Sequence, residues 1–156
     1  MRVGIGYDAH ALVEGRALVL GGVVVPYEKG LEGYSDADVL VHAVMDALLG
    51  AAGLKDIGHQ FPSSDPLFKD ASSIHLLEHV RRMVASQGFA VLNVDSVLIA
   101  EAPGIAPYVD EMRHKIAAAL RIEDDRVMVK ATGTDGLGFV GRGDGMAAQA
   151  VALLEQ

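Results

Sequence analysis

Three side chains that could bind a metal ion lie in two separate segments of the chain. Asp8 and His10 are two positions apart in a stretch, residues 2–10, that is typical of a β-strand. Residues i and i+2 of a strand project from the same face, so this carboxylate and this imidazole point together. With His42 they make a His₂Asp set that leaves one tetrahedral position open, as in catalytic rather than structural zinc sites. The Asp-x-His spacing often arises by chance, so its meaning depends on the setting of His42.

His42 lies on a predicted helix, residues 35–50, that is apolar around nearly its whole circumference. The exceptions are Asp38, His42 and Asp46, which recur every four residues and form one ionisable stripe. A helix that is apolar all round is buried, and a buried ionisable stripe needs partners. Two interpretations follow. His42 is either a hydrogen-bonded core histidine between two helix-end acids, or it faces a metal ion while the aspartates orient it.

The sequence also suggests where this helix begins and ends. We predict an N-cap at Ser35 or Asp36, because their side chains accept hydrogen bonds from the free N–H groups of a first turn. Gly50 or Gly53 is expected to end the helix, since glycine readily adopts the left-handed conformation found there.

The remaining hydrophobic patterns predict a single α/β (α+β) domain over residues 1–156. Alternation and helical periodicity give, in order, a strand at 2–10, a hairpin at 17–20 and 23–26, the helix at 35–50, a loop at 55–68, a helix at 72–87, a strand at 89–100, a helix at 107–120, a strand at 126–131 and a last segment at 146–154 that fits either a strand or a helix. This order predicts a mixed four-stranded sheet, covered by helices on one face, with a small separate hairpin.

Four other histidines are weaker candidates for a metal site. His75 and His79 stand four residues apart, but they lie on the polar face of their predicted helix, so we expect them to face solvent. His59 lies in the predicted loop and His114 on a surface helix. No role is assigned to either.

A glycine-rich segment follows the strand at 126–131. Gly136–Gly141 matches G-x-G-x-x-G, but the dinucleotide fingerprint belongs to a first βαβ unit with an acidic residue about twenty positions on. We therefore reject a dinucleotide site and expect a tight backbone near a ligand or a symmetry axis. Thr132, Thr134 and Asp135 at the head of this loop are typical phosphate and cation contacts, although an ordinary flexible turn would have the same composition.

The amino-acid composition argues against several classes of function. The net charge of -8 argues against a non-specific nucleic-acid surface. The absence of cysteine excludes disulfides, thiol nucleophiles and thiolate metal sites. No run of eighteen apolar residues predicts a membrane span and no signal peptide is recognised, so we expect a cytoplasmic protein. A hydrophobic content of 51% is high for a small soluble monomer and favours an oligomer.

Motifs along the whole chain resemble one family, the 2-C-methyl-D-erythritol 2,4-cyclodiphosphate synthases of non-mevalonate isoprenoid biosynthesis. They are Gly6-Tyr-Asp-Ala-His10, Gly21-Gly22, Val25-Pro-Tyr-Glu-Lys-Gly-Leu31, Ser35-Asp-Ala-Asp-Val-Leu40, His42-Ala43, Asp46-Ala-Leu-Leu-Gly-Ala51, Asp56-Ile-Gly58, Phe61-Pro62, Val129-Lys-Ala-Thr132 and Leu137-Gly-Phe-Val-Gly-Arg-Gly143.

The resemblance implies a metal-dependent lyase that works as a homotrimer, with each active site between two subunits. Asp8, His10 and His42 fall on the family's Zn²⁺ ligands, one ion per subunit. The substrate would be 4-diphosphocytidyl-2-C-methyl-D-erythritol 2-phosphate, whose 2-phosphate attacks the β-phosphorus and expels CMP. Mg²⁺ or Mn²⁺ would bridge the diphosphate, with Asp135 helping to hold it.

The resemblance also implies three groups of binding residues. The methylerythritol contacts would be Ser35, Asp56, Ile57, Gly58, Phe61, Pro62, Ser63, Ser64 and Asp65, and the substrate-binding set also includes Asp8, His10 and Tyr34. The cytidine and phosphate contacts, from a neighbouring subunit, would be Ala100, Pro103, Ala106, Ala131, Thr132, Gly133, Thr134 and Asp135. Phe139 and Arg142 match residues near the trimer axis, where the family can hold an isoprenoid diphosphate in a central cavity.

Three positions depart from the family pattern. Tyr34 stands where the family usually has His, and Gly133 replaces the middle Thr of a Thr-Thr-Thr run. Both are positions at which the family steadies the transition state, so they are candidate catalytic positions together with Asp135. Gly136 stands where many relatives carry Lys. Two alternatives to the synthase therefore stay open: a zinc phosphohydrolase, and an isoprenoid-phosphate-binding trimer with weakened catalysis.

Overall fold

The computed structural model describes residues 1–156 and contains a five-stranded mixed sheet with the strand order β4-β1-β7-β5-β6. Its strands are β1 (Arg2–Glu14), β4 (Lys29–Leu31), β5 (Ala90–Ile99), β6 (Val127–Thr132) and β7 (Gly145–Glu155), while β2 (Leu18–Leu20) and β3 (Val23–Val25) form the separate hairpin. Only the β5–β6 pair is parallel. The single α/β domain and the hairpin are as predicted.

The prediction of four strands was wrong because β1 is longer than its apolar alternation indicates. It continues past His10 to Glu14, and Leu12–Glu14 pair with the three residues of β4. The strand β4 has only three residues, with Gly30 at its centre, so its sequence shows no alternation of polar and apolar side chains. It is recognised only by its pairing with β1.

The ambiguous C-terminal segment is a strand, β7, which lies between β1 and β5 at the centre of the sheet. Ala148, Ala150 and Ala152 all point inward and are buried. Small side chains on this face allow a helix to approach the sheet closely.

That helix, α1 (Val39–Ala52), packs across β1 and β7, and every residue in it except Asp46 and Gly50 is buried. Its predicted start needs correction, whereas its end is one of the two that were predicted. The backbone of Ala37 has a φ of 56°, which interrupts the helical path, so Asp38 is the N-cap instead of Ser35 or Asp36. The C-cap is Gly53, which is left-handed with a φ of 73°.

Four further helices complete the fold. They are α2 (Ile57–Gln60), α3 (Ser73–Ser86), α4 (Val109–Leu120) and α5 (Gly138–Gly141). The segment predicted as a loop at 55–68 contains α2 and a 3₁₀ turn at Pro66–Phe68, both of which are too short to give a periodic signal. None of the helices is long and apolar enough to cross a membrane.

Two glycines on β1 set the distance between the sheet and α1. A Cβ atom on Gly4 would lie 2.0 Å from the Ala47 carbonyl oxygen, and one on Gly6 would lie 1.9 Å from that of Ala43. These contacts are with backbone and cannot be relieved by rotating a side chain.

We therefore expect Gly6→Ala to reduce the free energy of unfolding by about 3 kcal/mol, because the helix must move away from the sheet. Gly50→Ala is the matched control: its Cβ would meet nothing closer than 3.9 Å, and alanine favours a helix by about 1 kcal/mol over glycine. Urea unfolding of both variants measures the difference. Equal stability of the two would contradict this account of the packing.

Candidate metal centre and substrate pocket

Asp8, His10 and His42 converge at one end of the contact between β1 and α1. His10 Nε2 lies 2.7 Å from Asp8 Oδ2, His42 Nδ1 lies 2.9 Å from the same oxygen, and the two nitrogens are 3.2 Å apart. One ligand atom from each residue lies within 4.8 Å of the other two, so the three could hold one metal ion. The strand and the helix bring together the set that the sequence predicted.

The hydrogen bonds of the two imidazoles direct lone pairs toward this point. His10 Nδ1 lies 2.7 Å from the Glu32 carbonyl oxygen, which can only accept, so Nδ1 carries the proton and Nε2 is free to act as a ligand. His42 Nε2 faces the hydroxyl oxygens of Ser73 at 3.0 Å and Ser35 at 3.2 Å. Its Nδ1 is the nitrogen on the metal side.

Without a metal ion, the carboxylate and the two imidazoles of the cluster pair with one another, and a bound cation would take the place of the shared protons. Burial alone would raise the pKa of Asp8, but its contacts with the imidazoles of His10 and His42 outweigh burial and lower that pKa to about 2. Burial would lower the pKa of His10, but its bond to Asp8 prevails and raises it. One carboxylate and two imidazoles, with a fourth position open toward a cavity, match the donor set of a catalytic zinc site.

The hypothesis that Asp38 and Asp46 orient His42 is wrong. The carboxylate of Asp38 is fully buried and accepts hydrogen bonds from the backbone N–H groups of Gly21 at 2.9 Å, Gly22 at 2.7 Å and Val41 at 3.1 Å. It joins the β2–β3 hairpin to the start of α1.

Asp46 also has a partner other than the histidine. Its carboxylate accepts the Ile57 N–H at 2.8 Å, so it fixes the start of α2. Burial raises the pKa of Asp46. The groups that contact the Nε2 atom of His42 are serine hydroxyls, which the helical stripe could not reveal because they lie outside α1.

A cavity of about 380 Å³ opens beside the metal cluster. Eight further predicted binding residues line it: Tyr34, Ser35, Ile57, Gly58, Phe61, Pro62, Ser63 and Ser64. The sequence reasoning missed three apolar wall residues, Met45, Phe68 and Leu76. Met45 on α1 and Leu76 on α3 are both buried. In the sequence they resemble the other apolar residues of the core, so nothing indicates that they line a cavity.

Asp56 and Asp65, also predicted to bind the substrate, cap short helical turns beside this cavity. Asp56 Oδ1 accepts hydrogen bonds from the backbone N–H of His59 at 2.9 Å and from its Nδ1 at 2.8 Å. Asp65 Oδ1 accepts the Leu67 N–H at 2.9 Å, and its carbonyl oxygen lies 3.3 Å from the Tyr34 hydroxyl, which donates to it. Both aspartates fix the backbone next to the cavity wall.

The predicted cytidine and phosphate contacts form a second group, far from the first in sheet order. Because β5 and β6 are parallel, their C-terminal ends lie side by side, and the Ala100 N–H donates to the Thr132 carbonyl oxygen at 2.9 Å. These ends and the loops after them carry Ala100, Pro103, Ala106, Ala131, Thr132, Gly133, Thr134 and Asp135. None of the eight lines the metal-side cavity.

Glu101 organises this second group and was not singled out from the sequence. Its Oε1 accepts the backbone N–H of Thr134 at 2.6 Å and the Thr134 hydroxyl at 3.0 Å, which together lower the pKa of Glu101. A Cβ atom on Gly133 would lie 3.2 Å from the same oxygen, and the φ of Gly133 is not in the left-handed region. A larger residue at 133 therefore competes only with a movable carboxylate.

Phe139 and Arg142 lie on and just after α5, which follows the Gly136 turn. Phe139 is partly exposed, and Arg142 Nε pairs with Asp144 at 2.9 Å on the surface. His75 and His79 are exposed on α3, as predicted. His114 pairs with Asp124 at 3.1 Å on the surface.

Comparison with known proteins shows which family the chain resembles. The family model described as YgbB family matches residues 1–155. The chain is 58% identical over 154 residues to the 2-C-methyl-D-erythritol 2,4-cyclodiphosphate synthase of Moorella thermoacetica, covering 99% of this chain and 94% of the relative. It is 59% identical over 155 residues to the synthase of the same name from Desulfatibacillum aliphaticivorans, covering 99% of this chain and 100% of the relative.

The solved structures agree with the sequence relatives. A 2C-methyl-D-erythritol-2,4-cyclodiphosphate synthase in its CDP-bound form is 34% identical, with a TM-score of 0.90 and coverage of 99% of this chain and 100% of that one. The strand order, the metal-site geometry and these full-length matches lead to one conclusion. The chain belongs to the YgbB family.

Proposed function

We propose that this protein cyclises 4-diphosphocytidyl-2-C-methyl-D-erythritol 2-phosphate to 2-C-methyl-D-erythritol 2,4-cyclodiphosphate and releases CMP. The relatives that match this chain over nearly their full length are named as synthases of this cyclic diphosphate. The observation that carries the proposal is the convergence of Asp8, His10 and His42 in the wall of the cavity of about 380 Å³. The protein is then a phosphorus–oxygen lyase of non-mevalonate isoprenoid biosynthesis, and a cytoplasmic location suits that role.

The reaction needs no nucleophile from the protein. An oxygen of the substrate's 2-phosphate forms a bond to the β-phosphorus as the bond from that phosphorus to the CMP oxygen breaks. The chain's task is to hold the two phosphates in line, and orientation of this kind supplies a large part of catalysis. The lack of cysteine is therefore compatible with the activity.

Asp8, His10 and His42 would hold Zn²⁺, and Asp135 would help to hold Mg²⁺ or Mn²⁺. When bound, such ions polarise phosphoryl oxygens and neutralise their charge. The metal centre matters here because the chain has 21 acidic and 13 Lys and Arg residues, so its overall field repels a phosphorylated substrate.

The cavity suits the methylerythritol part of the substrate. Ile57, Phe61 and Leu76 offer apolar walls for its carbon skeleton, while Ser35 and Ser63 offer hydroxyls for its polar groups. The cytidine and phosphate group of residues would come from a neighbouring subunit, because in one chain it lies on the other side of β7 from the metal cluster.

An exposed apolar sheet face supports assembly into a homotrimer. Val3, Ile5 and Tyr7 of β1 project away from α1, and Ile5 is paired in register with the exposed Val151 of β7. Val3 is 68% exposed and Ile5 is 64% exposed. A group of large apolar side chains exposed together on a sheet face is typical of a surface that binds another protein subunit. Phe139 and Arg142 are then candidates for the trimer axis, and an isoprenoid diphosphate bound there stays a prediction.

Mixed trimers test whether the site is shared between subunits. His42→Ala and Asp135→Ala should each be inactive alone, yet a 1:1 mixture refolded or exchanged together should recover about a quarter of the wild-type sites, because those interfaces receive both intact residues. No recovery, with mixed trimers demonstrated by native mass spectrometry, would contradict a shared site. A monomer in solution would contradict the trimer itself.

Tyr34 and Gly133 offer a test of the phosphate geometry. Histidine at 34 and threonine at 133 would add donors where charge grows on the phosphoryl oxygens, and such donors contribute mainly in the transition state. We expect Tyr34→His with Gly133→Thr to raise kcat about tenfold with little change in KM and unchanged zinc content. A folded double variant with unchanged or lower kcat would show that Tyr34 and the Gly133 backbone already suffice.

Product analysis separates the three candidate functions. Purified protein with the diphosphocytidyl substrate and Mg²⁺ should yield CMP and the cyclic diphosphate in equal amounts. Release of inorganic phosphate would instead identify a phosphohydrolase. Binding of an isoprenoid phosphate with no turnover would identify a trimeric binding protein.

A further inference from the structure

We propose that Ser73 and Asp36 are positioning residues for the metal centre, which they serve by fixing the proton and the ring orientation of His42. The inference rests on the proposed function, since it concerns how this chain presents His42 to the metal. Neither residue lines the cavity or supplies a ligand atom to the cluster, so both act through the imidazole.

The three side chains form a continuous chain of hydrogen bonds behind the cluster. His42 Nε2 lies 3.0 Å from Ser73 Oγ, and the Ser73 hydroxyl donates in turn to Asp36 Oδ1 through a short hydrogen bond. Ser73 is fully buried and His42 is 7% exposed, so bulk water does not compete for this contact. Hydrogen bonds that are shielded from water hold their geometry more tightly than exposed ones.

The direction of these bonds selects the tautomer of His42. The single proton of the Ser73 hydroxyl is used on Asp36, so Ser73 can only accept from Nε2. Nε2 must then carry a proton, which leaves the lone pair of a neutral imidazole on Nδ1, the atom 2.9 Å from Asp8 and 3.2 Å from His10. The Asp36 carboxylate, at the far end of these hydrogen bonds, also makes the His42 imidazole more basic and therefore a stronger metal ligand.

Backbone contacts hold Asp36 in the position that this role requires. Its Oδ2 accepts the Ser73 N–H at 2.9 Å, and its Oδ1 accepts the Asp38 N–H at 3.1 Å. Asp36 therefore joins the N-terminus of α3 to the segment that leads into α1. Ser35 Oγ also lies 3.2 Å from His42 Nε2, but it accepts the Ala37 N–H and has no carboxylate behind it.

Zinc affinity of the metal-depleted protein tests the proposal without using turnover. We expect Ser73→Ala to weaken zinc binding by about 10- to 100-fold in competition with a chelator, and Asp36→Asn to weaken it by about tenfold. Ser72→Ala is the matched control. Ser72 caps the same helix through the His75 N–H at 3.4 Å but does not contact His42, so its zinc affinity should be that of the wild type.

The ¹⁵N chemical shifts of the His42 ring provide a readout that general loss of stability would not move. The proton should reside on Nε2 in the wild type and in Ser72→Ala, and its population there should fall in Ser73→Ala. Ser73→Thr, which keeps the hydroxyl, should restore both the shift and the affinity. If Ser73→Ala fails to fold, Asp36→Asn carries the same test.

Two results overturn the proposal in distinguishable ways. Wild-type protein that binds no zinc removes the metal centre, and this inference falls with it. Wild-type protein that binds one zinc ion per chain, alongside Ser73→Ala and Asp36→Asn of equal affinity, overturns only the positioning role.

Discussion

Replacing His42 with alanine should remove zinc binding and lower turnover by about a thousandfold or more, while the chain stays folded. The variant deletes one of only three ligands, and a metal that stabilises transition-state charge is worth several kcal/mol, each 1.4 kcal/mol being about a factor of ten. The side chain is buried at the edge of the core, so its loss leaves a small cavity next to Asp8 and His10. Metal analysis and CMP release measure the two effects separately.

A histidine on the surface provides the control for this variant. His79 is exposed on α3 and makes no contact with the cluster, so His79→Ala should keep full zinc and full activity. The oligomer should survive in both variants, because the exposed sheet face proposed as its interface does not include the cluster. Full zinc content in His42→Ala would contradict the assignment of the ligands.

Replacing Asp38 with alanine should cause the largest loss of stability of any change at a polar residue. The variant removes the N-cap of α1 and leaves the N–H groups of Gly21 and Gly22 without their acceptor in the interior. An N-cap is worth about 1 kcal/mol, and each of the two donors left without a partner costs about 1–3 kcal/mol, so we expect a loss of about 3–7 kcal/mol. Urea unfolding at pH 7 measures it. Asp46→Ala, which frees a single half-buried N–H, should cost less.

The ionisation of Asp38 adds a pH dependence with a definite sign. Burial and the nearby charge of Asp36 raise the pKa of Asp38 to about 6, against the opposing effect of its three N–H donors. A carboxyl group that binds its proton more tightly in the folded state loses stabilising effect as pH rises from about 4 to about 6. The stability difference between wild type and Asp38→Asn should therefore shrink over that interval and stay constant above it. A difference that grows with pH would contradict the raised pKa.

The sequence was sufficient for features that depend on local periodicity. The two-residue spacing of Asp8 and His10 on a strand, and the all-apolar helix around His42, were enough to predict the three-residue cluster. This prediction succeeded because side-chain direction follows directly from backbone geometry.

Features that depend on contacts between distant segments were missed. Ser73 contacts His42 from 31 positions away, and Glu101 contacts Thr134 from 33 positions away. The N-cap was predicted two or three residues too early because several acceptors precede the helix, and only the left-handed backbone at Ala37 decides among them. The periodicity and spacing of residues in a sequence do not indicate which distant polar side chains the fold brings into contact.

Zinc titration of the metal-depleted protein, followed by CMP release at saturating Mg²⁺, tests the central claim most directly. If Asp8, His10 and His42 form the metal centre of the cyclisation, turnover should rise linearly with added zinc and level off at one ion per chain. The cyclic diphosphate should appear in step with CMP throughout. Full CMP release from protein shown to be free of zinc, or saturation with no turnover, would contradict the account.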